Sequence, residues 1–179
     1  GGDVGEVHRE GARISSEIYG VPIQNPYDSD IYIVDTFPMD QDLWQAAKAL
    51  CCLDVFVPDD KVIILVSGAE EGVTTTHPEV LQYGYQTLAT IKPMVDSGTM
   101  GKIVGHYLVQ GGRLIRRTKP FLVTPTVSDA DAKRLGFIAG YSNPQDALDA
   151  AIKIKGANAK LMILSSDGEI CPIPMTNST

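Results

Sequence analysis

Residues 31–50 read IYIVDTFPMDQDLWQAAKAL. Ile31, Ile33 and Val34 are β-branched, the run is short, and Pro38 and Asp40 end it, so it reads as a buried strand. Asp40 is a good N-cap, which makes Gln41 the first residue of a helix over 40–52. At about 100° per residue, Leu43, Ala46, Ala47 and Leu50 fall on one stripe, and Gln41, Gln45, Lys48 and Cys52 fall on the opposite one, with Trp44 at the border. A solvated back face would account for the polar stripe. A ligand surface would too, because Trp44 sets a large ring with a polar handle beside Gln45 and Lys48, and open α/β sheets place their ligand crevices at the carboxyl ends of strands.

The rest of the chain alternates in the same way. Helices are expected near 5–19, 78–95, 100–110, 128–135 and 143–155, and strands at 61–67, 119–124, 136–140 and 159–165. Such alternation signals a mostly parallel, Rossmann-like α/β sheet with helices on both faces. Lys61 to Val66 is nearly all apolar, as a central strand should be, and right-handed crossovers would set it beside the strand at residue 31. Asn143 and Pro144 open a helix that Gly156 closes. Ser166, Asp167 and Gly168 read as a turn into a final hairpin strand through Ile170. Residues 20–29, with Pro22, Pro26 and Asp28, read as a connector.

Composition narrows the function. A chain of 179 residues with 44% hydrophobic residues can bury the core of one domain. A formal charge of −7 argues against a nucleic-acid partner. Arg113, Arg116 and Arg117, the one basic cluster, read as a solvated helix end. No run approaches the roughly 18 apolar residues of a membrane span, and no signal peptide is visible. Three cysteines, Cys51 and Cys52 among them, make no disulfide framework, so a cytoplasmic setting is expected. Cys51 and Cys52 read as packing residues.

Further candidate chemistry is sparse. His8, His77 and His106 match no metal-ligand spacing, so no metal site is expected within this chain. His77, before Pro78, reads as locally structural, and His106 as a core or interface residue. Ser67-Gly68-Ala69-Glu70-Glu71-Gly72 leaves a strand at its carboxyl end. Its glycines permit close backbone approach to a ligand, its paired carboxylates disfavour a phosphate, and a plain turn is an equal reading. Gly98, Gly101 and Gly105 do not form a dinucleotide fingerprint, and neither a nucleophile elbow nor a Walker loop is present.

The stretch Phe37 to Leu50, with Pro38, Asp40, Trp44-Gln45 and Lys48, resembles the signature of the C-terminal domain of the nickel-dependent lactate racemase family. Gly2-Asp3 followed by His8-Arg9-Glu10-Gly11, the strand and acidic loop from Val62 to Gly72, and the tail from Leu135 to Pro172 are similar to that family in the same order. The resemblance implies that residues 1–29 are a linking helix and connector from an N-terminal domain that precedes this one, and that 30–179 form the C-terminal lactate-racemase-like domain. The chain also begins without Met and without a strand of its own, which fits a piece of a longer protein.

In that family a nickel-pincer nucleotide, held mainly by the N-terminal domain, takes up and returns a hydride, while histidines of that domain move the hydroxyl proton. The resemblance therefore implies an isomerase, a racemase or epimerase of lactate-like 2-hydroxy acids. Its catalytic residues lie outside this chain, which would be inactive alone and need no cofactor of its own. Lys48 would hold the substrate carboxylate, Gln45 would hydrogen-bond the acid, and Trp44 would border the pocket. His8 corresponds to a histidine kept near the domain boundary. Two departures stand out: Trp44 replaces an aromatic that is usually Tyr, and Thr36-Phe37 replaces a Gly-containing approach to Pro38. Both change pocket volume, so the acid need not be lactate. The absence of a complete acid/base or metal set leaves a second reading, a non-catalytic small-molecule binding or regulatory module, which predicts an intact protein that purifies without nickel.

Overall fold

A computed structural model describes residues 1–165 and 171–175. Five parallel strands form the main sheet in the order β5-β4-β3-β2-β6: β2 is Ile31–Asp35, β3 Val62–Val66, β4 Lys119–Val123, β5 Ala139–Tyr141 and β6 Leu161–Leu164. β3 lies at the centre, in register with both neighbours, with Ile31 opposite Val62 and Val62 opposite Lys119. Its residues Val62 to Leu65 are at most 1% exposed, and burial of each such side chain is worth about 1.5–3 kcal/mol. The apolar run therefore sits where both faces are covered.

Alternate residues of these strands feed two cores. Val34, Ile63, Leu65 and Leu122 face a layer of helices drawn from residues 43–135. Ile31, Val62, Ile64, Phe121 and Val123 face α8 (Pro144–Lys155) through Ala147 and Ala151. The expected ends of α8 hold, since Asn143 Oδ1 accepts from the Gln145 N–H and Gly156 follows at φ 94°. α8 packs on β3, β4 and β5, and Leu161 and Ile163 of the edge strand β6 are exposed.

Three expected helices change their limits. The helix over 40–52 begins later and is two pieces, α2 (Leu43–Ala46) and α3 (Lys48–Asp54). Asp42, not Asp40, is the cap, its carboxylate accepting the Gln45 N–H at 2.9 Å. Asp40 and Gln41 instead lend their carbonyls to the N–H groups of Ala69 and Glu71, while the first N–H groups of α2 bond to Gly72 and Val73. Tertiary partners thus replace the first helical turn. The helix over 78–95 is likewise broken, into α4 (Glu79–Tyr83) and α5 (Leu88–Asp96). Gly84 turns at φ 63°, where a Cβ would lie 2.2 Å from the Arg134 carbonyl, and Tyr85 swings into the core. α6 (Lys102–Ile115) runs one turn past residue 110. α7 (Asp129–Leu135) opens at Ser128 and ends at Gly136, so the strand expected over 136–140 begins only at Ala139.

The connector holds a strand that the sequence did not signal. After α1 (Val4–Tyr19), β1 (Gly20–Gln24) pairs in parallel with β7 (Cys171–Met175). The expected turn at 166–168 and the hairpin end at Ile170 lie outside the described residues. α1 buries none of its side chains, and Val4, Val7, Ile14 and Ile18 are exposed along it. The arginine cluster is not a free helix end. Arg117 donates to the Asp54 and Val57 carbonyls and pairs with the Asp54 carboxylate at 3.0 Å, Arg113 meets the same carboxylate at 2.9 Å, and Arg116 donates to the Tyr85 carbonyl. Helical spacing put three arginines together; the end of α3 and the residues after it supplied acceptors for Arg113 and Arg117, and the Tyr85–Gln86 segment those of Arg116.

Tyr32 is fully buried, and its hydroxyl donates to the Pro26 carbonyl at 2.5 Å. Burial, reinforced by Asp30 and Asp28, pushes its phenol up to about 12. The folded value lies above the unfolded value of about 10, so the stabilising difference is complete below that value and is lost as pH rises toward 12. Between about pH 9 and pH 11 this residue alone should cost about 1.4 kcal/mol of stability, read as a falling urea midpoint that is shallower in Tyr32→Phe. An identical pH slope in the two proteins would rule this out.

Candidate functional site

Splitting the second helix sets Lys48 at the first residue of α3. A cation there opposes the helix dipole slightly, so local stability does not ask for it. Its ammonium donates to Gln45 Oε1 at 2.6 Å and touches Met39 Sδ at 3.8 Å. Lys48 is exposed, and no ion pair among the described residues includes it. With its carbonyl taken by Lys48, Gln45 keeps Nε2 as a donor. Charge and carboxamide therefore stand together just beyond the carboxyl end of β2.

Trp44 stands between two other rings. Tyr107 of α6 stacks on it with centroids 4.1 Å apart at 17°, and His77 packs against it at 4.2 Å. The Tyr107 hydroxyl donates to the Leu43 carbonyl at 2.8 Å, which leaves the Tyr85 hydroxyl to donate to Tyr107, also at 2.8 Å. Burial holds both phenols above the ordinary tyrosine range. Ring stacking and a two-step hydrogen-bond chain thus fix the wall on which Trp44 stands.

Beside this pair a groove of about 210 Å³ opens between α2, α3 and α6, lined chiefly by Trp44, Lys48, Cys51, Ile103, His106 and Tyr107. Its surface is mostly apolar. Burial, and Asp54 near it, push the Cys51 thiol up, so Cys51 presents a neutral surface there. Ile103 stands at the rim, 72% exposed. His106 is exposed at the groove, not in the core. Ile103, His106 and Tyr107 lie more than 50 residues from Lys48 and were not singled out as site residues. Their signal is a second stripe on α6, in which positions 103, 106, 107 and 110 recur at helical spacing beside the buried stripe of Val104, Leu108 and Ile115.

The other candidates separate from this place. His8 is exposed on α1. The Ser67–Gly72 segment is a packed turn: a Cβ on Gly68 would lie 2.9 Å from the Asp40 carboxylate, Ala69 turns at φ 42°, and the Ala69 carbonyl accepts from Thr126 Oγ1 at 2.6 Å. Among the described residues no group of three or more His, Cys, Asp or Glu could hold a metal, and no helix is long and apolar enough to cross a membrane.

Comparison with known proteins agrees with this architecture. The family model described as the lactate racemase C-terminal domain matches residues 24–170. The fold superposes on the lactate racemase apoprotein of Thermoanaerobacterium thermosaccharolyticum with a TM-score of 0.70 at 20% identity, covering 94% of this chain and 40% of that one. A crystal structure of a protein from Thermotoga maritima gives a TM-score of 0.62 at 12% identity, covering 95% of this chain and 42% of that one. The chain thus spans about two fifths of the length of each. No curated protein matches it in sequence.

Proposed function

Because the chain belongs to the lactate racemase C-terminal domain family, we propose that it forms the substrate-side lobe of a racemase or epimerase of 2-hydroxy acids. The observation that carries this reading is the Lys48 ammonium, exposed, outside any ion pair among the described residues, and 2.6 Å from the Gln45 carboxamide at the edge of a groove. A charge-assisted bond from Lys48 to a carboxylate is about twice as strong as a neutral one, and Gln45 Nε2 adds a directional donor. Together they would hold the acid in one orientation, which is where positioning lowers a barrier.

The nickel-pincer nucleotide that the sequence resemblance implies supplies hydride transfer when bound. The described residues offer it no metal-ligand set, so the contribution of this chain is to bind the acid, orient it and exclude water. The exposed apolar residues of α1 suit contact with a second lobe. Alone, the chain would not racemise.

In the intact protein, incubation with one enantiomer of a 2-hydroxy acid should produce the other, as read by chiral chromatography. Gln45→Ala should lower kcat/KM about fivefold, the worth of one neutral hydrogen bond. An intact protein that holds no nickel and leaves every 2-hydroxy acid optically pure would overturn the proposal.

A further inference from the structure

The geometry points to the α2–α3–α6 groove as the pocket for the substrate's side chain, selecting 2-hydroxy acids that carry an apolar group of about benzyl size over those that carry a methyl. This rests on Lys48 as the carboxylate anchor. Lys48 belongs to both features: its ammonium meets Gln45 and its side chain lines the groove. An acid held at Lys48 therefore has its C2 substituent beside that opening.

Size and chemistry then select the substituent. The groove holds about 210 Å³, whereas an apolar cavity of about 150 Å³ suffices for benzene. A methyl would leave most of it unfilled, while a phenyl ring with one methylene would occupy it. No acidic side chain lines it, its polar side chains include Lys48, His106 and Gln110, and Cys51, Ile103 and Tyr107 present mainly carbon and sulfur. An anionic head with an apolar tail matches that distribution. Little rearrangement is needed on binding, because the Trp44–Tyr107 stack and the Tyr107 bond to Leu43 already fix one wall.

Trp44 is the only tryptophan of the chain, so its fluorescence reports directly on this groove. The chain is titrated with 2-hydroxy-3-phenylpropanoate, with lactate and with the dicarboxylate 2-hydroxybutanedioate. The expected result is phenyl-bearing acid at least about tenfold tighter than lactate. Lys48→Ala should weaken all three acids. Ile103→Asn, at an exposed rim position that the fold tolerates, and Cys51→Phe, which fills the groove, should each narrow the preference below about threefold. Equal affinity for the phenyl acid and lactate, both dependent on Lys48, would overturn the groove assignment and leave the carboxylate site standing. Binding indifferent to Lys48→Ala would overturn the carboxylate site and this inference with it. Tightest binding of the dicarboxylate, or no response to any acid at about 50 mM, would also overturn it.

Discussion

Gly112→Ala is expected to destabilise the protein by about 3 kcal/mol, although Ala is intrinsically the better helix former by about 1 kcal/mol. Gly112 lies inside α6 and is buried. A Cβ there would stand 2.1 Å from the Gln86 carbonyl oxygen and 2.9 Å from the Gln86 N and C atoms. Those are backbone atoms of the segment that breaks α4 from α5, and that segment is pinned to α6 by the Gln86 N–H on the Leu108 carbonyl. A side chain could rotate away, but this strand of backbone cannot yield without losing that bond and displacing Tyr85. The neighbouring glycines show the same design, with a Cβ at Gly111 meeting the Tyr85 ring at 2.4 Å and one at Gly105 meeting Val95 at 2.6 Å. Gly11, midway along α1, is the control: nothing lies within 4 Å of its added Cβ, so Gly11→Ala should leave stability unchanged or raise it by up to about 1 kcal/mol. Urea denaturation of the two variants should therefore move in opposite directions. A Gly112→Ala protein as stable as its parent would show that α6 does not approach residue 86 so closely.

The same contrast explains which parts of the fold could be read from the residues. β2, β3 and β4 were legible because each is built on an apolar run, Ile31 to Val34, Val62 to Val66 and Pro120 to Val123. α8 was legible from Asn143 and Gly156, whose capping chemistry is local. The two broken helices were not. Hydrogen bonds to distant partners set their limits: Asp40 and Gln41 to the loop at 69–71 hold the first off until Leu43, and Tyr85 and Gln86 to Leu135 and Leu108 part α4 from α5. Periodicity cannot report those. β1 was missed because it is half-exposed and gains its partner, β7, from the other end of the chain. The candidate site divides in the same manner. Gln45 and Lys48 share one face within a single turn, so spacing set them side by side, and the resemblance to the lactate racemase family singled them out. The wall opposite comes from α6, and only the packing of α6 on α3 brings Ile103, His106 and Tyr107 to the same groove. The arginine cluster teaches the converse, since in a charge run that looked solvated Arg113 and Arg117 clamp Asp54.

Lys48→Ala in the intact protein should reduce kcat/KM roughly a hundredfold, the consequence of losing about 3 kcal/mol from a hydrogen-bonded charge pair with the substrate carboxylate. Stability should not fall with it. Lys48 is exposed and lies outside any ion pair among the described residues, and its known contacts are Gln45 and Met39. Ala suits the first turn of α3, and removing a cation from a helix N-terminus is if anything favourable. How the loss divides between kinetic constants tests the role itself. A carboxylate is present in the substrate, in the transition state and in the product alike, so a residue that merely holds it contributes uniform binding, and its loss raises KM while kcat changes little. Lys48→Arg should recover part of the affinity, because the charge remains and only the reach and the donor geometry differ. A loss confined to kcat would instead make Lys48 a partner of the reacting centre. A kcat/KM within about threefold of the parent would remove Lys48 from the site, and with it the physical basis for assigning a substrate-binding face to this lobe.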